Sequence, residues 1–172
     1  MFGPNRVYET FKKLQDYRII LSERLCKANP YSAGQPRGAD GFYYGYGKYA
    51  IDVLIPAFLA AYTGDDPNSV SLIRQNNPNI KSNPFRGIKP KLNWKLDYNG
   101  LTKLKPLDKL FTNFSVSHGY TGNLSMNGFT SALLYQDISQ YEYPSFYDTI
   151  SKNYVPYFLL PNISIGEQFS PL

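Results

Sequence analysis

The sequence predicts a mainly β protein with helices at its N-terminus, and three observations carry this prediction. Apolar residues recur at helical spacing near the start of the chain. Beyond Leu92 the pattern changes to alternation with a period of two residues, which is typical of β-strands. The segment from Phe111 to Tyr135, FTNFSVSHGYTGNLSMNGFTSALLY, keeps this alternation over most of its length and contains no Asp, Glu, Lys or Arg.

Composition sets the outer limits on what the chain can be. Its 172 residues fit one domain or part of a larger protein, and 16 Tyr with 11 Phe are an unusual aromatic content. The net charge of +5 is spread along the chain, so we expect a mildly basic surface and no nucleic-acid partner. A single cysteine excludes an internal disulfide. The sequence contains no run of 18 uncharged apolar residues, so it predicts no helical membrane span.

Residues 1–91 are predicted to form a separate helical region rich in Gly, Tyr and Pro. The spacing predicts one amphipathic helix from Pro4 to Cys26 and a second, shorter helix from Ile51 to Tyr62. Asp52 is the expected N-cap of the second helix and Gly64 its expected C-cap. A loop rich in glycine and tyrosine joins the two helices, and a connection punctuated by prolines follows them.

Residues 92–172 are predicted to be an antiparallel strand segment. Strands are expected at Leu92–Tyr98 and at Ile163–Phe169. The long alternating segment between them exceeds an ordinary strand, so a turn at 121–123 is expected to split it into strands 114–120 and 124–134; one unbroken long strand is the alternative. Residues 136–158 are expected to be a tyrosine-rich loop with one helical turn near 147–152.

Alternation assigns the strand residues to two sides. One side collects apolar and aromatic residues: Leu92, Trp94, Leu96, Tyr98, Phe114, Val116, Tyr120, Leu124, Met126, Leu134, Ile163, Ile165 and Phe169. The other side is mostly small and polar: Asn93, Lys95, Asn113, Ser115, Ser117, Ser125, Asn127 and Ser164. A strand in the wall of a transmembrane barrel has this pattern, and so does a water-soluble antiparallel sheet with one wet face.

Residues that carry catalysis are scarce. His118, the single histidine, has the same parity as Val116 and Tyr120, so we expect a structural or interfacial role for it. Asp65 and Asp66 lack the spacing of a calcium loop. The glycines of GADGFYYGYG neither follow a strand nor have the spacing of a phosphate-binding loop. We therefore predict no enzyme activity and no catalytic, cofactor or metal site.

Four stretches resemble a known family. They are GYGKYAIDVLIPAFLAAYTGDDPNSVSL, NWKLDYNGL, LDKLFTNFSVSHGYTGNLSMNGFTSALLY and ISIGEQFSPL. Together they are similar to the SprA/Sov family, the giant outer-membrane translocon of type IX secretion and gliding motility in Bacteroidota, over roughly Gly41 to Leu172. Members of that family are much longer, so the resemblance implies that this chain is a fragment that supplies only part of a large outer-membrane β-barrel.

The resemblance also implies a function, partners and a location. It implies a non-enzymatic wall segment of a channel in the bacterial outer membrane that exports folded cargo proteins bearing a C-terminal signal. Its expected partners are outer-membrane lipid, a small accessory outer-membrane barrel protein and a plug protein. The apolar side would then face lipid, the small polar side would face the lumen, and residues 1–91 would lie outside the lipid. The alternative is a soluble, secreted β-rich binding module that contacts carbohydrate or protein through surface tyrosines.

Overall fold

The structure is a computed structural model that describes residues 4–72, 75, 93–100, 115–128, 130–159 and 162–170. Leu92, Asn113 and Phe114, for which a strand side is predicted, lie outside the described residues, and so does the side chain of Phe169. The elements in chain order are α1 (Pro4–Ala28), α2 (Ile51–Thr63), β1 (Trp94–Tyr98), β2 (Val116–Asn127), β3 (Thr130–Ser131), β4 (Tyr147–Asp148), β5 (Asn153–Tyr154), β6 (Phe158–Leu159) and β7 (Asn162–Ser170). The predicted N-terminal helices and antiparallel strands are both present, so the described residues form a mixed helix-and-strand protein rather than a mainly β one. The described strands do not close into a barrel.

The chain divides into two compact units. The first, which we call the helical unit, comprises Met1–Gly87 and Gly128–Pro161, and the second, the sheet unit, comprises Ile88–Asn127 and Asn162–Leu172. This grouping differs from a single division near residue 92, because residues 128–161 pack with the N-terminal helices. Asn29, which directly follows α1, is an example, since its side-chain amide donates to the carbonyl oxygen of Pro144 at 3.0 Å.

The two helices form the core of the helical unit. Leu21 and Leu25 on α1 and Val53 and Ala57 on α2 are buried in one cluster with Tyr46 from the intervening loop. These positions recur at the spacing that places side chains on one helical face, so the amphipathic pattern is satisfied by helix against helix. Neither helix in the described part of the chain has an apolar stretch that would cross a bilayer.

The ends of α2 test two capping predictions. Gly64 has the left-handed φ of +86°, and its N–H bonds to the carbonyl oxygen of Ala60, which confirms it as the C-cap. The prediction for Asp52 is wrong. Ala50 is the N-cap and makes no side-chain capping bond, and Asp52 lies in the first turn with only 4% of its surface exposed.

Short strands complete the helical unit. β3 pairs with β6, and β4 pairs with β5 in an antiparallel hairpin. The helical turn predicted near 147–152 is therefore wrong. The carboxylate of Asp148 accepts the amides of Ile150 and Ser151 at 3.0 and 3.1 Å, and this local bonding closes the turn of the hairpin instead.

The sheet unit is a three-stranded antiparallel sheet in the order β1-β2-β7. The turn predicted at 121–123 is wrong, and the alternative of one unbroken strand is correct. Residues 119–127 of β2 pair continuously with 162–170 of β7, so cross-strand bonding holds the backbone extended through Gly122. The strand predicted to run from 124 to 134 ends at Asn127, and Gly128 follows with a φ of +76°.

Candidate functional site: a two-faced sheet

The register of β1 and β2 joins their apolar residues. Trp94 lies opposite Tyr120, and Tyr98 lies opposite Val116. Directly opposed residues of an antiparallel pair project from the same side of the sheet. The apolar residues of β1 and β2 therefore share one side.

The register of β2 and β7 extends that side across the sheet. Leu124 lies opposite Ile165 and Met126 lies opposite Ile163, while the backbone of Tyr120 pairs with that of Phe169. We call this side the apolar face. Its described members are Trp94, Leu96, Tyr98, Val116, His118, Tyr120, Gly122, Leu124, Met126, Ile163, Ile165 and Glu167.

The opposite side, which we call the polar face, collects the predicted small polar residues. The hydroxyl groups of Ser125 and Ser164 lie 2.5 Å apart across the β2–β7 pair, and Asn127 pairs with Asn162. On β1, Lys95 forms an ion pair of 3.0 Å with Asp97, which lies opposite Ser117. Two neighbouring residues at strand starts are Ser115, which is exposed, and Asn93, whose side-chain oxygen accepts the amide of Gly122 at 2.7 Å.

The apolar face is open rather than buried in a protein core. Leu96 is 62% exposed, and Trp94 is 45% exposed. Val116, Leu124, Met126, Ile163 and Ile165 are half-buried. Apolar side chains that remain this exposed contribute less to folding than fully buried ones do. A contiguous apolar surface of this kind is typical of a face that contacts lipid or another protein.

Two residues with ionisable polar side chains, His118 and Glu167, interrupt the apolar face. The ring of His118 meets that of Trp94 edge-on, with centroids 4.7 Å apart. The hydroxyl of Tyr120 donates to Oε1 of Glu167 at 2.7 Å. Sequence reasoning missed Glu167, although its odd number, shared with Ile163 and Ile165, already assigned it to their side of the strand.

The contact between Tyr120 and Glu167 depends on a glycine between them. Gly122 lies opposite Glu167, and a Cβ added to Gly122 would be 2.7 Å from the Tyr120 hydroxyl. The ring of Tyr120 therefore extends along its own strand over a position that has no side chain, and Tyr120 is only 7% exposed. This arrangement buries an aromatic ring on an otherwise open face.

Leu134 is the one described residue of the predicted apolar set that has no position in this sheet. It lies in a turn of the helical unit and is 61% exposed. The parity of the sequence continues past Asn127, but the backbone leaves the sheet there. The prediction that Leu134 belongs to the same strand as Leu124 is therefore wrong.

The helical unit contains a buried carboxylate. Burial raises the pKa of Asp52 to about 7, and the backbone amides of Asp52 and Val53 and the Gln75 side chain offset that rise only in part. Both carboxylate oxygens are buried and have no hydrogen bond of normal geometry. Among the described residues it is the acidic side chain that is buried in this way.

Tyrosines of the helical unit pack mainly against one another. The rings of Tyr44 and Tyr147 stack with centroids 4.7 Å apart, and Tyr154 meets both edge-on. Burial raises the pKa of Tyr154 to about 12 and also raises that of Tyr46. Tyr46 and Tyr154 are at most 4% exposed, so these tyrosines serve as core. Tyr49 is 70% exposed and is the most open of the tyrosines whose side chains the structure describes.

Comparison with protein-family models and with curated proteins gives no match to this chain. Its function is therefore argued from the chemistry of the two-faced sheet.

Proposed function

We propose that this chain is a wall segment of an outer-membrane protein-conducting β-barrel of the SprA/Sov type. In this proposal the apolar face of the sheet contacts lipid, and the polar face lines a water-filled lumen. The wider assembly exports folded cargo proteins with a C-terminal signal, together with a small accessory barrel protein and a plug protein. The role is structural and not enzymatic.

The register of the sheet is the observation that carries the proposal. It gathers the predicted apolar residues of three strands on one open face and the small polar residues on the other. β2, at 12 residues, is long enough for a transmembrane strand, which needs roughly 9 to 11 tilted residues. β2 also has no Asp, Glu, Lys or Arg on either face, although a water-soluble sheet usually has charged residues on its wet side.

The edges of the sheet are also consistent with a wall segment. β1 and β7 each have one neighbour among the described strands, so each leaves one backbone edge for a further strand. Unpaired edges are unfavourable in lipid because each exposed amide and carbonyl costs several kcal/mol there. We therefore expect strands from the rest of a larger chain to pair with both edges.

An arginine scan across the two faces tests the proposal. Leu124→Arg should cost about 2 to 4 kcal/mol if Leu124 lies near the bilayer midplane, because the charge would enter hydrocarbon. Asn123→Arg is the matched control, since Asn123 is the adjacent residue on the polar face and lies opposite Gly166, which leaves room for a long side chain. The measurement is the fraction of the parent protein, with this segment in its native place, that floats with phospholipid vesicles after reconstitution and a urea wash.

Two outcomes would contradict the proposal. Equal loss of flotation in both variants would contradict the assigned facing. A wild-type parent protein that stays in aqueous buffer and never floats would favour the alternative, a soluble secreted module that binds carbohydrate or protein through exposed tyrosines such as Tyr49.

A further inference from the structure

A turn of the helical unit presents two leucines outward. It occupies residues 132–135, directly after β3, and we call it the leucine turn. Leu133 is 99% exposed and Leu134 is 61% exposed. Leu159 of β6, the strand that pairs with β3, is 42% exposed. Apolar side chains in water at this level of exposure favour contact with an apolar partner.

The backbone on both sides of these leucines is held by buried residues. The amide of Ala132 donates to the carbonyl oxygen of Tyr157 at 2.7 Å, and Ser131 pairs with Phe158. Tyr157 and Phe158 are at most 1% exposed. After the leucines, the ring of Tyr135 meets that of Tyr157 edge-on with centroids 5.9 Å apart. The exposure of Leu133 and Leu134 is therefore set by a backbone that is anchored before and after them.

The leucine turn belongs to a part of the chain that has no charged side chains. Neither the stretch from Leu110 to Gln136 nor that from Asn153 to Gly166 contains Asp, Glu, Lys or Arg. The first stretch contains β2 and β3, and the second contains their pairing partners, which are β6 and the first part of β7. A surface that faces water usually contains charged residues. The absence of charge thus continues in sequence from the strands with the apolar face into the leucine turn.

The chain connects the leucine turn closely to the end of the sheet. β3 begins three residues after β2 ends, and β6 ends three residues before β7 begins. Leu133 follows Asn127, the last residue of β2, by six residues. Six extended residues span at most about 20 Å, so Leu133 remains within that distance of the strand end in any arrangement of the two units.

We infer that Leu133 and Leu134 insert into the outer-membrane lipid beside the end of β2 and anchor the helical unit to the membrane surface. This inference rests on the proposed function, because only a lipid-facing β2 brings the chain out of a bilayer near Asn127. The backbone of the turn stays at the level of the headgroups, since irregular backbone is not stable in hydrocarbon. The two leucine side chains reach the acyl chains below.

Ile150 shows why exposure alone does not predict lipid contact. It is 92% exposed at the turn of the β4–β5 hairpin in the same unit, but Asp148 and Lys152 lie two residues to either side. Moving charged side chains into a bilayer is unfavourable. Ile150 therefore stays in water, and it is the matched control for Leu133.

Photocrosslinking to lipid tests the inference. The parent protein, with this segment in its native place, is produced with p-benzoylphenylalanine in place of Leu133, Ile150 or Leu124. It is then reconstituted and irradiated in phosphatidylcholine vesicles that contain an alkyne-tagged phosphatidylcholine. We expect lipid adducts from Leu133 and from Leu124, and roughly tenfold fewer from Ile150, because burial in an apolar medium favours a leucine side chain by about that factor or more. Leu133 is almost fully exposed, so its replacement should not disturb folding.

The three positions separate failure of this inference from failure of the proposed function. Lipid adducts from Leu124 but none from Leu133 overturn the inference and leave the proposed role of the sheet in place. Adducts from Leu133 to a protein instead of lipid also overturn it, because they show that a protein partner covers the leucine turn. Equal labelling of Leu133 and Ile150 contradicts the argument from charge. No lipid adduct from Leu124 overturns the proposed function itself.

Discussion

Gly45→Ala is the substitution for which the structure supports the most detailed prediction. Gly45 has a φ of +76°, in the left-handed region that favours glycine. A Cβ at this position would lie 2.2 Å from Cδ2 and 2.3 Å from Cε2 of the Tyr154 ring. The ring cannot easily move away, because Tyr154 is 4% exposed, contacts Tyr44, Tyr46 and Tyr147, and is bonded through its hydroxyl to the Tyr31 carbonyl oxygen.

Two costs add at Gly45. A non-glycine residue in the left-handed region costs about 1 to 2 kcal/mol. Carbon atoms in contact normally lie about 3.5 to 4.0 Å apart, so the new methyl group requires a shift of more than about 1 Å in a packed core. Overpacking of this kind costs about 1 to 3 kcal/mol. We expect Gly45→Ala to lower the free energy of unfolding of the helical unit by about 2 to 5 kcal/mol.

Gly64→Ala is the matched control. Gly64 has a similar φ of +86°, but a Cβ there would meet nothing within 4 Å. Only the backbone cost of about 1 to 2 kcal/mol then applies. The difference between the two variants isolates the collision with Tyr154.

Urea unfolding of the full chain in mild detergent measures the free energy of unfolding of both variants. Near-UV circular dichroism of tyrosine reports mainly on the helical unit, since among the described tyrosines only Tyr98 and Tyr120 belong to the sheet unit. Fluorescence of Trp94, the single tryptophan, reports on the sheet unit and should be unchanged. Equal destabilisation by Gly45→Ala and Gly64→Ala would refute the reasoning, because it would mean that Tyr154 does not pack against Gly45.

Two further predictions concern single polar contacts. Tyr120→Phe removes the hydrogen bond to Glu167 and should destabilise the sheet unit by about 1 kcal/mol, measured by urea unfolding with Trp94 fluorescence. Glu167→Gln keeps a hydrogen-bond acceptor and should therefore cost less. A larger loss of stability in Glu167→Gln than in Tyr120→Phe would argue against this bond. Hydrogen bonds from the Ser151 side chain and from the amides of Ile150 and Ser151 lower the pKa of Asp148, so its contribution to the β4–β5 hairpin should be present at pH 6 and lost as pH falls below 3.8. Thermal unfolding should therefore separate the wild type from Asp148→Asn more strongly at pH 6 than at pH 2.5, and a gap that does not narrow in acid would contradict this assignment.

Alternation predicted the sides of the sheet residues well because it is a local property of extended backbone. Successive side chains of a strand must point to opposite sides, whatever the strand pairs with. Trp94, Leu124 and Ile163 therefore share a parity class in the sequence and one face in the structure, once the register aligns their strands. Whether that face meets lipid stays a prediction, which the arginine scan tests.

Strand ends and turns were predicted less well because they depend on partners that are distant in sequence. Thr121, Gly122 and Asn123 have the composition of a turn, yet pairing with Glu167 and its neighbours on β7 keeps them extended. The alternation that includes Leu134 continues beyond Asn127 in sequence, although the backbone leaves the sheet there. Local propensity is a weak determinant when a long-range ladder competes with it.

The sequence by itself determined the two helices, the left-handed cap at Gly64 and the two-sided character of the strands, because each follows from backbone geometry over a few neighbouring residues. Only the tertiary structure decided that residues 128–161 belong with the helices, that Gln75 reaches Tyr157, and that Asp52 is buried instead of capping its helix. These outcomes depend on contacts between residues far apart in the chain. Burial, and the change in pKa that follows from it, is a property of that packing and not of any short stretch of sequence.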